Sequence, residues 1–354
     1  MKIDGKVMDS SNYSPLGHAS VYLSNTSIGT TTSQDGSFFL TNIPPGSYKL
    51  IISYIGFKTQ IFTIDEQSNE RFFTIQMKRD VTQLERLVVN ADKFNKAYLK
   101  DFEKYFIGTD ENASNCIITN PEVLFFYFNK QTSRLTANAT KVLVIANKSL
   151  GYKIYYDLQY FYFDDSTRHL TYFGYPKFEA LHAKNERTKR QWDENRMKAY
   201  LGSMRHFMKA LISRKLKKEG FKVHKLEKIE DPYSKKTYTL VHSDGLPYDS
   251  IIAKARDRLG YVKLIFDNSL YITYSPPRWT GISPKIHIVI SPIQTLIKPR
   301  YPPSILTLIK ATYIDRNGDL TDPMMVIKKG GWAHNSVADL LPINYEPSRS
   351  GTRE

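Results

Sequence analysis

Two residues of this sequence have the spacing of a catalytic zinc site. His224 and Glu227 form a His-x-x-Glu pair, and a distant histidine, His287 or His334, could be nominated as a third ligand. Such ligands, with an acidic general base, would support hydrolysis by metal-activated water. The residues around the pair, beginning at Phe221, are instead typical of a solvent-facing strand, and two fixed positions match easily by chance. We therefore predict no metal, no cofactor and no catalytic residue.

A second group of oxygen-bearing side chains has the alternation of a calcium-binding loop. Asp315, Asn317 and Asp319 could supply its first ligands, but the twelfth position, which needs a glutamate, holds Val326. An Asn-Gly dipeptide lies in the middle of residues 314–320, and this dipeptide favours the positive φ angles of a tight hairpin turn. The segment therefore predicts a hairpin and not a metal site.

The strongest charged feature is a helix predicted over residues 188–219. Its apolar side chains recur at intervals of three and four and form one stripe: Met197, Leu201, Met204, Met208, Leu211 and Ile212. Residues 184–236 carry seventeen Lys and Arg against seven Asp and Glu. This basic face is either simply solvated or a docking site for an acidic protein, anionic lipid headgroups or nucleic acid.

A candidate contact surface on this helix consists of Arg196, Tyr200, Arg205 and His206. Arg and Tyr are over-represented where the binding energy of interfaces concentrates. The many Tyr and Phe residues could stack on bases, but their alternation in strands is typical of a protein core. We therefore predict another protein, an acidic surface or anionic lipid headgroups as the partner, and no nucleic acid.

The elements that must position these residues belong to more than one domain. The chain has 354 residues and 41% apolar residues, enough for two cores. Residues 1–80 hold seven basic and seven acidic side chains, so the net charge of +15 lies entirely in residues 81–354. Charge alone therefore predicts a boundary near residue 80, with 81–92 as a linker or extra strand and 93–354 as a basic domain.

Composition also restricts the setting of the chain. The single cysteine, Cys116, excludes an internal disulfide framework, and no uninterrupted run of 18 apolar residues predicts a membrane-spanning helix. The sequence opens directly into a predicted strand without a signal peptide, which for an exported protein implies a trimmed mature chain.

The first eighty residues have the pattern of a small antiparallel sandwich. Apolar side chains occupy every second position over residues 48–54 and 73–78, as in half-buried strands. Asp35-Gly36 predicts a hairpin, 44–46 predicts a rigid Pro-Pro-Gly turn, and Gly56 predicts a strand end or bulge. Short strands separated by turns every eight to twelve residues are typical of an all-β sandwich.

This pattern resembles the carboxypeptidase-regulatory-like domain, whose fold is a transthyretin-like sandwich. The segments that carry the resemblance are 3–7, 15–21, 29–38, 43–48 and 53–57, in the family order. Residues 84–89 resemble the strand that often follows this domain in Bacteroidetes envelope proteins. More weakly, 192–211 and 331–345 resemble uncharacterised proteins of the same group. The resemblance implies export and a structural or binding role.

The predicted fold class is an N-terminal all-β antiparallel sandwich followed by a larger α+β domain with aromatic strands and one long basic helix. A short helix is predicted over 93–106, and later strands over 221–229, 236–243, 258–275 and 284–291. The predicted function is a non-catalytic accessory or scaffold protein, in the periplasm or associated with the outer membrane, that binds another envelope protein by strand-edge pairing and by charge. The alternative is a hydrolase of an envelope polymer with its site in the C-terminal domain.

Overall fold

The structure is a computed structural model that divides into two compact units. The first unit comprises Met1–Arg196 and Ser336–Tyr345, and the second comprises Met197–Asn335 and Glu346–Glu354. The residues that the structure describes are 1–65, 72–80, 92–93, 96–167, 169–230, 237–256, 260–277, 287–290, 295–298, 301–334 and 336–347. In the described part of the chain, no helix is long and apolar enough to cross a membrane.

The front of the first unit is the predicted sandwich. Its strands are β1 Ile3–Asp9, β2 Ser20–Leu23, β3 Gly29–Thr31, β4 Ser37–Leu40, β5 Tyr48–Ser53, β6 Gln60–Ile64 and β7 Phe72–Met77. They form a three-stranded sheet in the order β4-β1-β7 and a four-stranded sheet in the order β3-β2-β5-β6. All pairs are antiparallel except β1 with β7, which is parallel. Inward side chains of both sheets, including Val7, Val21, Leu50 and Ile75, form one core.

The turn at Asp35-Gly36 exists, but it does not close the predicted hairpin. Gly36 has a φ of +80°, and its N–H donates to the carbonyl of Ser33 (2.9 Å). The strands on either side of it pair with different partners, β3 with β2 and β4 with β1. The turn therefore carries the chain from one sheet of the sandwich to the other. Its local sequence could not distinguish the two outcomes, because both need the same positive φ.

The rest of the first unit is a sheet rich in aromatic residues. Its strands are β8 Asp92–Lys93, β9 Cys116–Ile118, β10 Leu124–Asn129, β11 Arg134–Ala139, β12 Leu143–Asn147, β13 Tyr152–Asp164 and β14 His169–Ala180. The order is β8-β10-β11-β13-β12-β9, and β14 also pairs with β13. The long β13 pairs with β11 and β12 at its two ends along one side and with β14 along the other.

The predicted short helix is present, although it begins at Lys96 and not at residue 93, and it packs on this sheet. Helix α1, Lys96–Phe106, buries Phe102 and Phe106, and the Phe102 ring centre lies 4.8 Å from that of Phe161 on β13. The helix ends where Ile107 and Gly108 both donate to the carbonyl of Glu103, and Gly108 has a φ of +107°. This is the glycine-terminated helix end that the sequence predicts.

The front sandwich and the aromatic sheet belong to one compact unit because β14 is hydrogen-bonded to the sandwich. Thr26 and Lys177 form a parallel bridge. Asn25 donates to the carbonyl of Pro176 (2.7 Å), and Phe178 donates to that of Thr26 (2.8 Å). The first unit thus extends past residue 80. The domain division predicted from the sequence, into 1–80, 81–92 and 93–354, stays a prediction. Residues 81–91 lie outside the described residues. Charge marks a change in composition, which need not coincide with packing.

A late segment, residues 336–345, returns to the first unit and is called the strap here. The N–H of Ala338 donates to the carbonyl of Ile107 at the end of α1 (3.2 Å). The N–H of Ile343 donates to the carbonyl of Asn25, and the side chain of Ile343 is part of the sandwich core. The strap therefore contacts both the aromatic sheet region and the sandwich.

The predicted long basic helix is two helices. Helix α2 is Glu186–Tyr200 and helix α3 is Met204–Ile212. Gly202 has a φ of +76° between them, and the Ser203 side chain accepts the N–H of His206 at the start of α3. A glycine at positive φ ends a helix and a serine starts one, so this local chemistry overrides the continuous apolar stripe.

The second unit contains the remaining strands. They are β15 Phe221–Glu230, β16 Thr237–Gly245, β17 Ile252–Lys254, β18 Val262–Leu264, β19 Ser269–Tyr274, β20 His287–Ile290, β21 Thr295–Lys298, β22 Ser304–Leu308, β23 Thr312–Ile314 and β24 Val326–Gly330. The sheets have the orders β16-β15-β19-β22-β24, β17-β18-β23 and β20-β21. The strand predicted over 258–275 is thus two strands, and the predicted Asn-Gly hairpin is confirmed by an antiparallel bridge between Ile314 and Leu320.

Candidate functional site

Arg196, the first of the four predicted contact residues, has its partners within the first unit. Its Nε donates to the carbonyl of Leu150 (2.7 Å) and its Nη2 to that of Gly151 (3.3 Å). Its guanidinium lies 4.3 Å from the centre of the Tyr152 ring. These contacts combine two charge-assisted hydrogen bonds with a cation–π contact, so Arg196 fixes the helix and is not a free contact residue.

Two neighbours of Arg196 on α2 extend the same contact. The indole Nε1 of Trp192 donates to the carbonyl of Lys148 (2.8 Å), and Asn195 Nδ2 donates to that of Ser149 (2.9 Å). Side chains at positions i, i+3 and i+4 lie on one face of a helix. One face of α2 therefore binds the carbonyls of residues 148–151.

Tyr200 and His206, two of the predicted contact residues, are buried in the second unit, so neither side chain is exposed to a partner in this structure. His206 is only 3% exposed, and its ring lies between those of Tyr200 and Phe221 (both 4.8 Å). Its Nδ1 accepts the N–H of Gly202 (3.1 Å), which places the ring proton on Nε2, 3.5 Å from Glu219. Burial lowers the pKa of His206 to about 3, so the ring is neutral and structural.

Arg205 is half-buried and engages the hairpin after β23. Its Nε lies 3.6 Å from Oδ1 of Asp319. Within that hairpin Asp315 Oδ1 accepts the N–H groups of Asn317 and Asp319 (both 2.9 Å). Burial, and then the carboxylate of Asp319, raise the pKa of Asp315 to about 6. The loop considered for calcium is therefore a turn closed by its own carboxylate and contacted by Arg205.

The His-x-x-Glu pair does not converge on one point. His224 Nδ1 lies 3.0 Å from the carbonyl of His242, whereas Glu227 contacts the ring of His242 (2.9 Å) and accepts from Asn268 (3.1 Å). The donors on Lys225 and His242 lower the pKa of Glu227. Within the described ranges, no three His, Cys, Asp or Glu side chains are grouped to hold a metal ion. His287 and His334, the two possible third ligands, are described in their backbone only, so their side chains are not among the described ones.

A different surface has the properties of a contact site: the outer side of the sheet β4-β1-β7, called the front face here. Phe39 on β4 and Phe72 on β7 are 70% and 58% exposed. Both pair in register with Asp4 on β1. Strand spacing places the two rings in one row roughly 10 Å apart, on either side of this carboxylate. The next row is polar, with Lys6 between Ser37 and Thr74.

The opposite side of the sandwich is not available to a partner. Tyr22 and Ile51, which pair on the outer side of the four-stranded sheet, are buried. The hydroxyl of Tyr22 donates to the carbonyl of Tyr175 on β14 (3.1 Å). Thr59 donates to the carboxylate of Asp157 on β13 (3.1 Å), whose pKa is raised by burial. The aromatic sheet thus covers this side, and the front face is the exposed side of the sandwich.

The exposed phenylalanines were missed by reasoning from the sequence, although a signal for them exists. Each belongs to a Phe-Phe dipeptide in a strand whose other residues alternate: Phe38-Phe39 and Phe72-Phe73. Because successive side chains of a strand point to opposite faces, one member of each dipeptide must point outward. Phe38 and Phe73 are buried, so the exposed members are the other two.

Comparison with known families agrees with this architecture. Residues 3–89 match the family model of the CarboxypepD_reg-like domain. The front sandwich is a CarboxypepD_reg-like domain. This family is regulatory and non-catalytic and has an Ig-like fold. The resemblance inferred from the sequence is thereby confirmed for this domain, and the match does not extend over residues 90–354.

Wider comparisons add little to the CarboxypepD_reg-like match. The chain matches a solved protein of unknown function from Bacteroides fragilis NCTC 9343, which bears the provisional designation of membrane-associated. The identity is 8%, the TM-score is 0.18, and 93% of each chain is covered. A TM-score this low supports no argument. The search of curated proteins found no match.

Proposed function

We propose that this chain is a non-catalytic accessory protein of the bacterial envelope that binds another envelope protein through the front face of its CarboxypepD_reg-like domain. The observation that carries the proposal is the pair of exposed rings of Phe39 and Phe72. Exposure of large aromatic side chains to water is unfavourable in free energy, and a partner that covers the row removes this penalty. The other side of the domain is already covered within the first unit, which leaves this face for a second molecule.

The edges of the same sheet favour pairing with a strand of the partner. Among the described residues, β4 and β7 each have β1 as their only neighbour in this sheet. Each exposed ring lies on one of these edge strands, Phe39 on β4 and Phe72 on β7. An added strand would bind by main-chain hydrogen bonds, and its alternate side chains would contact the ring beside it.

The extracytoplasmic setting belongs to the proposal as well. It is supported by the resemblance of the CarboxypepD_reg-like domain, and of residues 84–89 after it, to Bacteroidetes envelope proteins. The alternative of a polymer hydrolase receives no support from His206 and Glu219, since both are buried and the His206 ring lies between those of Tyr200 and Phe221. A binding role is therefore preferred.

Pull-down from detergent-solubilised membranes of the native cells tests this function. The bait is the full chain, as wild type, as the double variant Phe39→Ser/Phe72→Ser, and as the control Tyr13→Ser. Tyr13 is also an exposed aromatic residue of the front domain, but it lies outside the front face. We expect one membrane protein to be retained by wild type and control and to be recovered about tenfold less with the double variant. Equal recovery by all three baits, or by none, contradicts the proposal.

A further inference from the structure

The second unit carries nearly all of the net charge of the chain. It contains 26 Lys and Arg against 13 Asp and Glu, which is +13 of the total of +15. The first unit, with the CarboxypepD_reg-like domain, is therefore almost neutral. Charge of this size attracts anionic surfaces over distances of about a Debye length, roughly 8 Å at physiological ionic strength.

Exposed apolar side chains lie among lysines at one edge of the five-stranded sheet of this unit. In the described part of the chain, β24 is the edge strand and has β22 as its only neighbour. Ile309, just after β22, and Met324, just before β24, are 60% and 55% exposed. Ile327 on β24 is exposed as well, and Lys310 and Lys329 are exposed beside them. These five residues are called the edge patch.

The register places the two patch residues of β24, Ile327 and Lys329, on one side of the sheet. Helix α3 packs on the side that carries Phe221, since the rings of Phe207 and Phe221 lie 5.4 Å apart. Ile327 pairs with Thr307, and Lys329 pairs with Ile305. Side chains two residues apart share a face, and these rows alternate with the row of the buried Leu306. Ile327 and Lys329 therefore point away from α3.

The composition of the edge patch favours lipid over protein as its partner. Lysine is depleted at interfaces between proteins relative to the rest of the surface, whereas two of the five residues of the patch are lysines. Ile and Met can enter the boundary between headgroups and acyl chains, while Lys extends its long apolar stem and keeps its ammonium at the phosphates. Each lysine near an anionic surface strengthens such binding several-fold.

We infer that the edge patch is a docking site for anionic lipid headgroups at a membrane surface. Ile309, Met324 and Ile327 enter the interface, and Lys310 and Lys329 pair with lipid phosphates. The general positive charge of the second unit brings the protein to the surface, and the patch fixes which part of the unit contacts it. This site is separate from the front face of the CarboxypepD_reg-like domain and does not depend on the function proposed for that face.

Flotation of the full chain with lipid vesicles tests this site. The vesicles contain either phosphatidylcholine alone or equal parts of phosphatidylcholine and phosphatidylglycerol. We expect wild type to float only with the anionic vesicles, and less so as salt is added. Lys310→Gln/Lys329→Gln should weaken binding roughly tenfold or more. Ile309→Ser/Met324→Ser, which keeps every charge, should also weaken it.

The matched control is Lys217→Gln/Lys218→Gln, which removes two exposed lysines after α3 and leaves the same net charge as the lysine variant of the patch. This control should bind the anionic vesicles nearly as wild type does. An equal loss in the control would mean that binding follows total charge, and the edge patch would be rejected as a site. Failure of wild type to float with either vesicle, together with binding to poly-glutamate, would point to an acidic protein and would also overturn the inference.

Discussion

At the scale of single residues, the contacts of Arg196 are made within the chain. Arg196 was predicted as a contact residue because of its type, but its partners are the carbonyls of Leu150 and Gly151. No local sequence pattern indicates these hydrogen bonds, since residues 150 and 196 are far apart in sequence. A basic residue on a predicted amphipathic helix does not reveal from sequence alone whether it faces water or a backbone carbonyl.

Removal of the Arg196 side chain tests this structural role. Arg196→Ala should lower the free energy of unfolding by about 1–3 kcal/mol, because two carbonyls lose a charged donor and Tyr152 loses a cation. Arg190→Ala is the matched control, since Arg190 is an exposed arginine on the same helix. Its effect should stay within about 0.5 kcal/mol in the same urea titration. Equal effects of the two changes would show that the Arg196 contacts contribute nothing.

Gly151 offers a second test at this scale. Its φ is +67°, and an added Cβ would lie 2.3 Å from the Trp192 ring. Gly151→Ala should therefore cost more than backbone strain alone and destabilise the protein by more than about 2 kcal/mol. Gly56→Ala is the control, since Gly56 has a φ of +82° but no atom within 4 Å of the added Cβ. It should cost only about 1 kcal/mol. A similar cost at both sites in thermal unfolding would refute the close approach of Trp192.

At the scale of elements, local chemistry was predicted better than long-range placement. The C-terminal end of α1, the Asn-Gly turn after β23 and the alternation in β7 follow from neighbouring residues, and the structure contains all three. The break between α2 and α3 also has a local signal, Gly202 followed by Ser203, but the apolar stripe continues across it and favours one helix. The strap was not predictable, because no periodicity in residues 336–345 indicates which distant carbonyls they contact.

The strap contains a carboxylic acid that should respond to pH. Asp339 Oδ1 accepts from Asn112 (2.7 Å), and Ser336 donates to Asp110 (2.8 Å). Burial raises the pKa of Asp339 from 3.8 to about 6, and the neighbouring Asp110 carboxyl adds to the rise. Burial, and then the carboxylates of Asp110 and Asp339, raise the pKa of the Cys116 thiol. The folded strap therefore holds a proton that an unfolded chain would release.

The direction of the pH effect follows from that difference. Between pH 3.8 and about 6 the folded state binds more protons than the unfolded state, so this group makes stability fall as the pH rises through that window. Asp339→Asn keeps the shape without the charge and should stabilise the first unit by about 1–2 kcal/mol at about pH 8, with little effect at about pH 4.

Urea denaturation at both pH values measures this difference. The control is Asp101→Asn, which neutralises an exposed carboxylate on α1 and should leave the pH dependence as in wild type. If Asp339→Asn shows the same stability profile against pH as wild type, Asp339 does not hold the proton assigned to it.

At the scale of the whole molecule, the fold class could be predicted from local patterns, whereas the extent of the first compact unit could not. The sandwich followed by an α+β region is present, because alternation and turn chemistry are local properties. The first compact unit nevertheless includes Met1–Arg196 and the strap. It does so because β14 pairs with the sandwich through Thr26 and Lys177, a contact that the change of charge near residue 80 could not indicate.

Placement on this larger scale also decides where a partner can bind. The basic residues predict a contact surface on the long helix, whereas the exposed rings lie on the neutral CarboxypepD_reg-like domain. That domain has one side covered by the aromatic sheet and the other side open. The proposed binding role therefore requires that the partner protein contacts the front face.

Photo-crosslinking in the native cells measures this most directly. Benzoylphenylalanine is placed at position 39, at position 72, or at the exposed position 13 outside the front face, and the cells are irradiated. We predict the same crosslinked envelope protein from positions 39 and 72 and not from position 13. Crosslinks at position 13 alone, or none at 39 and 72 in folded protein, would contradict the claim that the front face binds a partner.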